Sequence, residues 1–110
     1  MLEDLIIYQK VYDLIKYSFP VLNRFPKSQK FVLGQQIENT FVKMLELIVT
    51  ANKLKSKGRT LFLLDVELQK AKTLVRLATD LRFMSIKRYG VFCEKLSEIG
   101  RLTGGWSKKA

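Results

Sequence analysis

Apolar residues recur every three or four positions from Leu5 to Trp106, and only six glycines and two prolines interrupt them. That step keeps them on one face of a helix and not on one face of a strand. A chain patterned this way has to fold as helices packed on each other. No Asn-Gly or Asp-Gly hairpin turn and no sustained period-two run competes with this reading.

In the first segment Leu5, Tyr8, Tyr12, Ile15, Phe19 and Leu22 form one stripe, and Ile7, Val11, Leu14 and Val21 form a second beside it. Pro20 falls inside the pattern, where the missing N–H should kink or loosen the last turn, and Pro26 closes the segment. Ser28 is an N-cap candidate for a second helix carrying Gly34, Ile37, Phe41, Met44, Ile48 and Ala51, with Val42, Leu45 and Val49 alongside. Gly58 is the next break. Thr60 is placed to cap a third helix bearing Leu61, Leu64, Leu68, Ala71, Val75 and Ala78, flanked by Leu74, Leu77, Leu81 and Met84. Ser85 can cap a fourth, with Tyr89, Phe92, Leu96, Ile99 and Trp106 on one face. Gly104-Gly105 reads as a C-cap pair with Trp106 folding back on the last turn.

The expected fold is all-α: a single domain over 1–110 with helices at roughly 3–24, 28–56, 60–84 and 86–104. Short turns between such helices imply an up-down-up-down four-helix bundle. A core-facing helix needs about three apolar positions in seven. Helices one to three each show two adjacent stripes, so self-association is expected; a well-filled core with ordinary surface leucines is the alternative.

The 110 residues include 20 Lys and Arg against 10 Asp and Glu, one Cys and no His. That inventory excludes His/Cys zinc sites, Ser-His and Cys-His catalytic pairs and an internal disulfide. No stretch is long and apolar enough to span a membrane. The acidic start MLEDLIIYQK lacks the cations of a secretory signal. The chain reads as cytoplasmic, without cofactor or metal, and not as an enzyme. Glu94 and Glu98 read as a solvated face, and Cys93 as a buried hydrophobe. Tyr12, Tyr17 and Tyr89 could stack on bases, but at helical spacing they read as core. The net charge of +10 points to nucleic acid, an anionic surface or an acidic protein.

Antiparallel packing gives that charge a geometry. One end of the bundle would gather Arg24, Lys27, Lys30, Arg82, Lys87 and Arg88 with no acid. The other would gather Lys53, Lys55, Lys57, Arg59, Arg101, Lys108 and Lys109 against Glu3 and Asp4, leaving the flanks near neutral. Cations in the first turn of a helix are unfavourable by about 0.3–1 kcal/mol at low salt. A bound phosphate reverses the sign. Lys72 and Arg76, one turn apart on the third helix, either share a phosphate or belong to local pairing, Glu67 with Lys70 and Arg76 with Asp80. Glu98 and Arg101 form another i,i+3 pair.

The stretch LVRLATDLRFMSIKRYGVFCEKLSEIGRLTGGW, from Leu74 to Trp106, resembles the accessory variability determinant (Avd) proteins of diversity-generating retroelements. The similar pieces are LVRLATDLRF, the helix start with Ser85, Lys87 or Arg88, and Tyr89, and the terminal EIGRLTGGW. FPKSQKFVLGQQI, from Phe25 to Ile37, resembles the start of helix two in these proteins and in four-helix proteins encoded within intervening sequences of bacterial large-subunit rRNA. Gly90 departs from the acidic or polar residue often found after the Tyr.

The resemblance implies a homopentameric barrel of four-helix bundles with a basic surface. It implies binding to a reverse transcriptase and to nucleic acid, template RNA or cDNA, in support of mutagenic reverse transcription. Lys72, Arg76, Arg82, Lys87, Arg88 and Arg101 are the basic residues within the matching blocks. The alternatives are an rRNA-intervening-sequence-type RNA-binding module, or a structural bundle that meets an acidic protein partner.

Overall fold

The computed structural model describes residues 2–110, with side chains from residue 5 onward. Four long helices account for most of the chain: α1 (Leu2–Leu22), α3 (Leu33–Lys53), α4 (Gly58–Asp80) and α5 (Ile86–Lys109). A single turn, α2 (Lys27–Lys30), separates the first two, and no strand occurs among the described residues. Each long helix packs against two neighbours in the cyclic order α1, α3, α4, α5, and α2 rides on α3. Short connections force every adjacent pair antiparallel, as expected of an up-down-up-down bundle. The result is a rod of 43 × 22 × 19 Å.

The core is built from the stripes that the spacing names. On α3, Gly34, Ile37, Phe41, Met44, Ile48 and Ala51 are buried, and so are Leu61, Leu64, Leu68, Ala71, Val75 and Ala78 on α4. On α5 the same holds for Phe92, Leu96, Ile99 and Trp106. Phe92 ties the centre together: its ring lies 5.1 Å from Tyr17 on α1, edge-on, and 5.9 Å from Phe41 on α3. Gly100 sits where α5 crosses close to α4; a Cβ there would come to 3.1 Å of a Leu68 methyl.

On α1 the two stripes divide. Ile7, Val11, Leu14 and Val21 are buried, whereas Leu5, Tyr8, Tyr12 and Phe19 face outward and Ile15 is half-buried. Tyr12 therefore lies outside the core, against expectation, while Tyr17 and Tyr89 are partly buried against it. Cys93 is half-buried and not enclosed.

Several helix ends differ from the sequence expectation. Ser28 caps nothing: Pro26 precedes α2 and its carbonyl accepts from the Gln29 and Lys30 N–H groups, while α3 restarts after Val32. α4 begins before Thr60, at Gly58, and ends at Asp80, short of Met84. α5 runs through Gly104 and Gly105 to Lys109. The C-cap expected at those glycines fails because Trp106, 5% exposed, follows Phe92, Leu96, Ile99 and Thr103 on the buried face. Docking that indole outweighs the roughly 1 kcal/mol that a glycine costs inside a helix. Ser85 does cap α5, its hydroxyl accepting from the Arg88 N–H at 3.2 Å. Pro20 is accommodated within α1, and the neighbouring Ser18 hydroxyl donates back to the Ile15 carbonyl at 2.8 Å.

Candidate nucleic-acid interface

One end of the rod is assembled by two turns that meet through their aromatic rings. Phe25, buried after α1, lies 5.8 Å from Phe83, which follows α4. Residues 23–37 and 81–93 thus share one end, and neither stretch contains an acid. They bring together Arg24, Lys27, Lys30, Arg82, Lys87 and Arg88. Arg24, Lys27, Arg82 and Lys87 are exposed, and Lys30 and Arg88 are half-buried. None of the six forms an ion pair among the described residues. The N-termini of α3 and α5 point at the same end, with no acid in the first turn of either. Their free N–H groups add to the positive potential.

Arg82 has an unusual backbone. Its φ is +65°, the only positive value at a non-glycine position among the described residues. The surrounding hydrogen bonds explain it: the Phe83 N–H donates to Ala78 and the Arg82 N–H to Thr79, both at 2.9 Å. This is a Schellman motif with arginine at the position that usually holds glycine. The left-handed residue turns the chain so that Phe83 goes inward onto Phe25 and Arg82 outward to solvent.

The opposite end is also basic but differently engaged. Lys53, Lys55 and Arg59 are exposed. Lys57 is not a free cation, because its ammonium donates to the carbonyls of Ala51 at 2.7 Å and of Leu54. It closes the C-terminus of α3, where orphan carbonyls and the negative helix end favour a cation. Arg101 lies 4.0 Å from Glu98, whose carboxylate also meets Lys10 of α1 at 3.1 Å. Glu3 and Asp4, set against this end by the sequence, have side chains outside the described residues.

The remaining candidates flank the α4–α5 seam. Arg76 pairs with Asp80 at 3.8 Å and Lys70 with Glu67 at 3.2 Å, so the local-pairing alternative is realised for both. Lys72 is half-buried and lines a depression of about 150 Å³ with Tyr89, Cys93 and Ser97. There the neighbouring Cys93 is the main cause that raises the Tyr89 phenol above its usual range. Burial acts in the same direction, and Arg76 opposes it. No three His, Cys, Asp or Glu side chains gather as a metal site among the described residues. No helix there is long and apolar enough to cross a membrane.

Geometry adds apolar residues at the acid-free end that the sequence did not assign to it. Phe31 is 73% exposed, Ile86 80% and Phe19 51%. The available signal was a ring interleaved with cations, in FPKSQKF.

No curated protein matches the chain. A family model described as bAvd-like matches residues 5–110, which includes both turns of the acid-free end, α3, α4, α5 and all but the first three residues of α1. The chain belongs to the bAvd-like family, the accessory-protein type that its helix-four and C-terminal motifs resemble.

Proposed function

We propose that the protein is a basic, non-catalytic accessory factor of a diversity-generating retroelement, working in the cytoplasm. In this reading it binds RNA or cDNA through phosphates, associates with the element's reverse transcriptase and supports mutagenic copying without chemistry of its own. The observation that carries it is the juxtaposition through Phe25 and Phe83 of six cations and two helix N-termini within two stretches, 23–37 and 81–93, that contain no acid. Such a surface is costly to leave unneutralised and suits a polyanion. Family membership supports the accessory role. Assembly as a homopentamer belongs to the same proposal; the outward apolar residues of α1, α3 and α4, among them Tyr12, Val49 and Phe62, support self-association.

Phosphate neutralisation releases counterions, so affinity should fall steeply with salt and depend little on sequence. The experiment is a fluorescence-anisotropy titration of a labelled RNA from about 50 to 200 mM salt, with wild type and Lys87→Glu/Arg88→Glu. The double variant should bind more weakly and show a shallower salt slope while staying folded. Binding that survives the reversal removes this end as the site. Co-purification of tagged protein with the reverse transcriptase expressed from the same locus tests the partner.

A further inference from the structure

Beside the acid-free end, where α1 leaves for the α2 turn, lies a depression of about 250 Å³ lined by Phe19, Asn23, Lys30, Phe31, Gln35 and Glu38. Its volume falls below the roughly 300–1,000 Å³ of pockets that enclose a whole small molecule. That excludes a nucleotide held entire and leaves room for a single planar ring system. Phe19 and Phe31 are both more than half exposed, and neither has an aromatic partner among the described residues. The polar lining is of the kind that reads a base edge. The Asn23 side-chain amide makes no hydrogen bond among the described residues, and Gln35 uses its Nε2 on Asn39 at 2.9 Å, which leaves its side-chain carbonyl oxygen to accept. The Glu38 carboxylate is a further acceptor, while Lys30, with Lys27 close in sequence, supplies a cation for the adjoining phosphate.

We infer that this depression seats one unstacked nucleobase, so that the basic end selects single-stranded over duplex nucleic acid. The inference rests on the proposed nucleic-acid reading and names the form of strand it takes. Within a duplex both faces of a base are stacked and its pairing edge is used, so the phenyl faces have nothing to stack on and only the groove edges remain for the amides. An unpaired strand offers both, and base–aromatic stacking tolerates any sequence.

The test is a direct comparison on the full chain of a labelled, unstructured single strand of about 20 nucleotides with the blunt duplex of the same sequence. Wild type should prefer the single strand. Phe31→Ala should weaken single-strand binding about tenfold and leave duplex binding within about twofold, while Phe31→Tyr keeps the preference. A 2-aminopurine placed in the strand should be quenched on binding wild type and not on binding Phe31→Ala. Equal losses on both substrates, or no loss on the single strand, overturn the inference. So does a change in solution mass of Phe31→Ala that tracks the loss, since it makes this face a contact between copies. If instead Lys87→Glu/Arg88→Glu binds both substrates as well as wild type does, the parent reading fails, which is a separately visible result.

Discussion

The ring of Phe25 stands 5.8 Å from that of Phe83 at an interplanar angle of 49°, the aromatic contact that joins the α1–α2 turn to the α4–α5 turn. Phe25 is buried, and truncating a buried phenylalanine costs about 3–5 kcal/mol. Phe25→Ala should lower stability by that amount in urea unfolding. If it costs less than about 1 kcal/mol, well under that range, the two turns are not held together by this contact.

Arg82 carries strain and charge at once. A side chain in the left-handed region costs about 1–2 kcal/mol relative to glycine, part of which is returned by glycine's larger unfolded-state entropy. Arg82→Gly should raise stability by about 0.5–1 kcal/mol and weaken nucleic-acid binding at low salt. The opposed signs separate folding from function. Thermal unfolding and anisotropy on one preparation measure both.

Lys57 predicts the reverse pattern. Lys57→Met keeps the apolar stem and removes the donor that closes α3. Stability should fall by about 1 kcal/mol, while affinity for RNA stays within about twofold of wild type. A large loss of affinity at unchanged stability would return Lys57 to the binding surface.

Gly104 and Gly105 lie inside α5, and a Cβ added at either would meet no atom within 4 Å. Alanine there should stabilise by about 0.5–1 kcal/mol per site, read as a rise in Tm. A C-cap glycine in the left-handed region would give the opposite sign, so the substitution discriminates the two backbone states.

The helical stripes of α3, α4 and α5 were legible residue by residue because buried positions must repeat with the helix. On α1 both stripes were legible, but not which one faces inward. That choice depends on where α3 and α5 lie, and it went to the aliphatic set Ile7, Val11, Leu14 and Val21. Helix ends were less legible, because they are decided by contacts remote from the local signal. The indole of Trp106 overrode two glycines, and an arginine occupied a glycine position after Asp80. At the basic end the charges were legible from topology alone. Phe31 and Phe19 were not: Phe31 belongs to none of the helical stripes, and Phe19 lies on the α1 stripe that turned outward.

The rod is 43 Å long, several times the Debye length of about 8 Å at physiological ionic strength. Its ends are alike in sign, so the net charge of +10 is divided between two tips and leaves little dipole to orient the molecule in a field. Basic tips repel each other whether two rods meet end on or in register side by side, so a tip meets least resistance against a neighbour's near-neutral flank. Neutralising one tip leaves the potential at the other almost unchanged, so each end can engage its own polyanion independently.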